Sequence, residues 1–181
     1  LDALEVRHLS NPDGQLAFAL VTDFRDAAAE HQDGADALLR HAEGGIAALN
    51  ERHTRPGGAA PFCLLHRPRR WNGSEGVWMG WERKRGKIEE FNRLVRGATD
   101  TSFTVQVGDP AILQHIRYCI TLDSDTRLPR DAARQLIGVI EHPLNRPRFD
   151  PKIRRVVEGY GILQPRVSVT MASAAGSLFA S

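Results

Sequence analysis

The chain has 181 residues, 41% hydrophobic and 25% charged, with a formal net charge of +2. This balance describes a folded protein with a core and excludes a disordered or low-complexity chain. No run reaches the roughly 18 apolar residues of a membrane span, and the first residues do not read as a signal peptide.

The opening residues read as a continuation, since Leu1 is no initiator methionine and only an Asn11-Pro12-Asp13-Gly14 turn precedes the first strong element. Leu16–Thr22 is expected as a strand ending in the acids Asp23 and Asp26. From Asp36 a helical period runs through Leu38, Leu39, Ala42, Ile46 and Leu49, weakened by Gly44-Gly45. Residues 54–60 form a loop, and Phe62–His66 is a second apolar strand. The basic stretch after it, from Arg67 to Gly73, carries no obvious structure of its own.

Lys84–Arg96 is predicted as an amphipathic helix with Ile88, Phe91 and Val95 on one face and Gly97 as its cap. Its first turn is basic, against the helix dipole, a local conflict of the kind expected at functional sites. Phe103–Val107 reads as a short strand. Ile116–Leu122, β-branched, aromatic and apolar, reads as a buried strand of a parallel sheet, and it delivers Asp123 and Asp125 beyond its carboxyl end. Asp131 is placed to cap a helix through Ala133, Leu136, Ile137 and Ile140, ended by His142-Pro143. A Pro-rich loop over residues 144–152 is followed by two strand-like runs, Val156–Ile162 and Gln164–Val169. Strands alternating with helices predict an α/β fold with a mostly parallel sheet flanked by helices.

Charge is unevenly placed. Residues 1–60 carry five Arg against ten acids, a net of −5, and residues 61–100 carry nine bases against five acids, a net of +4. A basic stretch implies an anionic partner: a nucleotide, a nucleic acid or an acidic membrane face. The plainer explanation is a solvated surface in an Arg-rich composition, since 21 of the 24 basic residues are Arg. Cys63 and Cys119 both sit in apolar runs and are expected as buried free thiols in a reducing compartment.

Specialised motifs are absent. Gly86-Lys87 is followed by Ile88, so there is no P-loop, and neither GxGxxG nor HExxH occurs. Arg127 stands where an aspartyl-phosphate phosphatase needs Thr or Val and where an EF-hand needs an oxygen ligand. Asp123 and Asp125 remain as a metal pair for Mg²⁺ or Mn²⁺ on a diphosphate, weighed against a simple polar turn after a strand.

Three long runs are more specific than the acid pair. Residues 78–97 (WMGWERKRGKIEEFNRLVRG), 118–151 (YCITLDSDTRLPRDAARQLIGVIEHPLNRPRFDP) and 156–169 (VVEGYGILQPRVSV) closely resemble the glycosyltransferase domain of cyclic β-1,2-glucan synthases. That domain is similar to inverting nucleotide-sugar transferases of the GT-A type, so the resemblance implies a truncated, Rossmann-like GT-A domain over residues 1–181. It implies UDP-glucose as donor, Mg²⁺ or Mn²⁺ as cofactor, and a β-1,2-glucan acceptor. It also implies a large parent at the cytoplasmic face of a bacterial inner membrane, of which this chain is a soluble fragment bound to no nucleic acid. Carried over, Asp123 and Asp125 match the metal-binding pair, with Asp125 the direct ligand. Asp23 matches the acid at the uridine end, and Lys87 and Asn92 the helix lining the nucleotide pocket, with Arg85 or Lys87 beside the leaving diphosphate. The family's catalytic base and its usual first strand are expected outside the chain, so donor binding without turnover is expected.

The alternative is a nucleic-acid-binding module on the basic stretch 67–96. Trp78 and Trp81 are aromatic candidates for sugar or uracil stacking, set against core packing. Glu158 and Tyr160 are acceptor-side candidates, set against an edge acid and turn packing. Gln164-Pro165 reads as a structural strand start.

Overall fold

A computed structural model describes residues 1–166, and the chain divides into two units, Leu1–Arg130 and Asp131–Ser181. In the first, helix α1 (Asp2–Ser10) leads into strand β1 (Phe18–Asp23), helix α2 (Ala35–His53) and strand β2 (Phe62–Arg67). A hairpin follows, β3 (Arg70–Asn72) and β4 (Val77–Met79), then helix α3 (Arg83–Val95), strand β5 (Val105–Val107) and a 3₁₀ helix, Pro110–His115. The main sheet has the order β1-β2-β5, parallel between β1 and β2 and antiparallel between β2 and β5.

Strand β2 is buried along its whole length, as the central strand of a small α/β layer must be. Its side chains alternate between two cores. Phe62 and Leu64 pack with Leu4, Phe18, Ile46 and Leu49 beneath α1 and α2. Leu65 packs with Phe103 and Leu113, lined by Phe91, Leu94 and Val95 of α3. Leu64 is fully buried, so Leu64→Ala is expected to cost about 2–5 kcal/mol through lost burial and a residual cavity. Helix α2 tolerates Gly44-Gly45 because Ile46 and Leu49 anchor it to this core, offsetting a propensity cost of about 1 kcal/mol per glycine.

Helix α1 lies where no element is expected from the sequence. Leu4 is its one buried residue, so it carries no apolar stripe to betray it. The β3–β4 hairpin likewise replaces the structureless basic stretch. Trp71 and Trp78 stand opposite each other in its ladder with ring centroids 5.9 Å apart, a cross-strand pair that stabilises a ribbon this short. Helix α3 ends at Gly97, whose φ of 89° suits only glycine comfortably, and its amide donates to Leu94 O.

Ile116–Leu122 corrects the strand expectation. It forms no ladder among the described residues, and Cys119 and Ile120 are exposed. An apolar, β-branched run supplies the propensity for a strand, but a strand exists only where a neighbour pairs with it. The exposure of Cys119 also corrects its placement as a buried thiol. Cys63 is buried as expected, and burial pushes its thiol up to about 11.

The second unit has helix α4 (Ala132–Glu141), with Asp131 at its N-cap position, and a hairpin of β6 (Arg148–Asp150) and β7 (Arg155–Glu158). The hairpin places a strand inside the expected Pro-rich loop, and β7 is shorter than Val156–Ile162. Gln164–Arg166 is not in a strand, and the rest of the run to Val169 lies outside the described residues. No described helix is long and apolar enough to cross a membrane.

Candidate functional site

The parallel register of β1 and β2 sets Asp23 opposite Arg67 at the carboxyl ends of both strands. The pair is a two-point fork: Arg67 Nε donates to Asp23 Oδ1 at 2.7 Å and Nη2 to Oδ2 at 3.1 Å. Arg67 is fully buried, and its remaining donors reach Glu90 Oε2 of α3 at 2.9 Å and the carbonyl of Arg83 at 3.0 Å. Glu90 in turn accepts from the amide of Ser102 at 3.1 Å and from its hydroxyl. Burial opposes the charge on Glu90, yet the Ser102 hydroxyl and the Arg67 guanidinium hold its carboxyl below the usual range. Burial also works against the charge on Arg67, but Asp23 and Glu90 more than restore it and raise its pKa.

The first turn of α3 stands between two acids distant in sequence. Lys87 Nζ lies 3.3 Å from Asp23 Oδ2, and Lys84 pairs with Asp123. This geometry requires an unusual entry into the helix: Glu82 and Arg83 have φ of 50° and 47°, in the left-handed region. Non-glycine residues are held there only where surrounding contacts determine them, and such strain clusters at functional sites. Arg83 bridges Asp26 at 2.8 Å and Glu75 at 2.5 Å, and Arg67 caps its carbonyl. Gly80 passes directly over Asp23; a Cβ there would meet Asp23 Cγ at 2.8 Å.

At the rim, Arg85 lies over Trp81 at 5.8 Å and pairs with Glu82 at 3.2 Å, leaving it exposed. Asn92 is exposed, and five residues beyond Lys87 it points about 140° away around the helix, so the structure does not bring these two together. Trp81 is partly exposed beside the site, whereas the backbone of Trp78 bridges to Ala27. His66, buried on β2, meets Thr22 Oγ1 through Nδ1 at 2.9 Å and Phe24 edge-on, and burial lowers its pKa. In the second unit, Glu158 pairs with Arg148 at 2.6 Å and Tyr160 is exposed.

Asp123 and Asp125 are both exposed on a turn closed by the Thr126 amide donating to Asp123 O at 3.1 Å. Among the described residues no three His, Cys, Asp or Glu side chains converge as a metal cluster. Two carboxylates suit Mg²⁺ or Mn²⁺ held jointly with phosphate oxygens, since these hard cations keep water and take few protein ligands. Asp123 already draws a cation, the Lys84 ammonium, so its donor chemistry fits that role.

Of the residues singled out in the sequence, Lys87 meets Asp23, and Asp123 meets Lys84 near the same helix start, while Asp125, Arg85 and Asn92 join neither pair. Arg67, Glu90 and Lys84 were not legible as partners. The signal for Arg67 is its place at the end of β2, level with Asp23 in the parallel register.

No family model matches the chain. Over 168 residues, 93% of the chain, it is 47% identical to the cyclic β-(1,2)-glucan synthase NdvB of Rhizobium meliloti (strain 1021), and it spans 6% of that protein's length. Identity at that level over nearly the whole chain makes it related to a short segment of that cyclic β-(1,2)-glucan synthase.

Proposed function

We propose that this chain is the donor-binding part of an inverting glucosyltransferase of the GT-A type that uses UDP-glucose to build β-1,2-glucan. The observation that carries the reading is the first turn of α3, whose Lys87 and Lys84 sit against Asp23 and Asp123. An anionic diphosphate has its counter-charges there, between an acid suited to a nucleoside and an acid suited to a cation. Similarity to the glucan synthase NdvB supports the choice of sugar chemistry.

In this reading Asp125, with Asp123, holds Mg²⁺ or Mn²⁺, which when bound neutralises charge on the departing diphosphate. Lys84 turns from Asp123 to the phosphates, Arg85 adds charge at the rim, and Asp23 meets the uridine end, oriented by Arg67. Asn92 lines the far side of the same helix. No residue of this chain is assigned as the base that takes the acceptor's proton. The β-1,2-glucan acceptor and the remaining domains belong to the proposed parent, at the cytoplasmic face of a bacterial inner membrane.

The basic stretch does not favour a nucleic acid. Arg67 and Arg69 are buried, Arg67 held by Asp23 and Glu90 and Arg69 by the carbonyls of Arg25 and Glu30, and Arg83 is shared between Asp26 and Glu75. The charge left for phosphate is therefore confined to the start of α3, a patch the size of a diphosphate rather than a strand of nucleic acid. Calorimetry with UDP tests the reading. Mn²⁺ is expected to tighten UDP, and Asp125→Ala to weaken Mn²⁺-dependent binding at least about tenfold, about 1.4 kcal/mol. UDP affinity indifferent to Mn²⁺ would refute it.

A further inference from the structure

Helix α1 reaches the Asp123–Asp125 turn through a single guanidinium. Arg7 Nη2 donates to the carbonyl oxygens of Asp123 at 3.2 Å and Thr126 at 2.8 Å, with Ser124 O at 3.5 Å. One helical turn on, buried Asn11 donates from Nδ2 to Arg7 O at 3.1 Å and to Pro129 O at 3.3 Å. Asn11 is the C-cap of α1, tied back to Arg7 O, so the last turn of the helix and its cap together grip both ends of the segment 123–129. Among the described residues, the preceding 116–122 pair in no ladder.

The helix that supplies this grip is itself docked firmly. Leu4 enters the core. Glu5 pairs with Arg52 and His53 of α2, both at 2.7 Å. The ring of His8 stands edge-on to Phe18, Phe62 and His53, with centroids 5.3, 5.1 and 5.0 Å away. Leu4 and Glu5 before Arg7 and His8 after it therefore fix its backbone against both β strands and α2.

We propose that Arg7, seated by Asn11, is a positioning residue for the acid turn, so that the docking of α1 sets the affinity of Asp123 and Asp125 for a divalent cation. The inference rests on reading those two acids as cation ligands. It has an electrostatic signature. Arg7 is itself positive, and removing a positive charge near a cation site tightens the site if charge is all that matters. A positioning role predicts the opposite sign, because a turn released from its grip must be ordered again when the cation binds.

The test uses the whole chain with Arg7→Ala, Arg7→Lys and Asp125→Asn. Mn²⁺ binding is read by water-proton relaxation, and amide exchange is read across residues 121–128. Arg7→Ala and Arg7→Lys are expected to speed exchange of the Thr126 amide and to weaken Mn²⁺, each at least about tenfold, with β1 and β2 amides unchanged. Lysine keeps the charge but its shorter side chain does not carry a donor out to the position of Nη2, so its failure to rescue separates geometry from charge. Asp125→Asn is expected to lose Mn²⁺ while the Thr126 amide stays protected. If the unaltered chain takes no Mn²⁺, the cation reading fails, and Thr126 exchange alone decides whether Arg7 positions the turn. Unchanged Thr126 exchange in both Arg7 variants, tighter Mn²⁺ in Arg7→Ala, or equally faster exchange in β1 and β2 would each overturn the proposal.

Discussion

Glu90→Ala is the sharpest probe of the charge cluster beneath the site. Asp23, Glu90, Arg67 and Lys87 form a balanced set of two acids and two bases. Removing Glu90 leaves the fully buried Arg67 and the half-buried Lys87 facing one carboxylate. It also strips the acceptor from the Ser102 amide and hydroxyl. Breaking a buried pair by deleting one partner costs about 3–5 kcal/mol. An orphaned buried donor costs about 1–3 kcal/mol more where water does not reach it. A loss of at least about 3 kcal/mol is expected in urea unfolding, with Glu90→Gln losing less because its amide oxygen still accepts one bond. The same residue sets a pH signature. Its folded-state pKa is depressed, so its contribution is complete above the ordinary carboxylate pKa and is lost as pH falls through the lowered value. Acidification below about pH 4.5 is therefore expected to erode the stability of the parent chain more than that of Glu90→Ala. A Glu90→Ala loss under about 1 kcal/mol, with an unchanged acid limb, would refute this account of the cluster.

Lys84→Ala is expected to tighten Mn²⁺ alone by up to about fivefold, since the exposed ammonium no longer competes for Asp123, while weakening Mn²⁺-dependent UDP; calorimetry reads both signs. Lys87→Ala is expected to weaken UDP more than uridine, and equal weakening of both would assign Lys87 only to holding α3 against Asp23. A thiol reagent at pH 8 is expected to label exposed Cys119 in the folded chain, slowed because desolvation raises its thiol too, and Cys63 only on unfolding, because burial pushes that thiol up to about 11 and covers it; two equally fast thiols would contradict the buried β2.

The elements that were legible in the sequence are those whose apolar spacing is enforced by β2. Phe18, Ile46, Leu49, Phe62 and Leu64 converge because α2 and both parallel strands carry complementary faces. What escaped is what depends on partners. Ile116–Leu122 has the composition of a strand without a neighbour to pair with among the described residues, and α1 has polar faces because its work is done by Arg7, Glu5 and Asn11. At the site, Asp23 and Asp123 are visible as acids after apolar runs. Their cations are not, because which of Lys84, Arg85 and Lys87 meets which acid is decided by the left-handed entry at Glu82 and Arg83. The pairing of Arg67 with Asp23 follows from a strand register that composition does not reveal.

That register has a consequence for descent. Asp23 and Arg67 share two hydrogen bonds at one level of a parallel ladder, and Gly80 packs against the Asp23 side chain with no room for a Cβ of its own. A lineage that replaces Arg67 leaves Asp23 with Lys87 alone, one that replaces Asp23 leaves a fully buried guanidinium with Glu90 as its one carboxylate, and one that enlarges position 80 displaces Asp23. The three positions, 44 and 13 residues apart along the chain, are therefore coupled, and a change at one is expected to favour a compensating change at another.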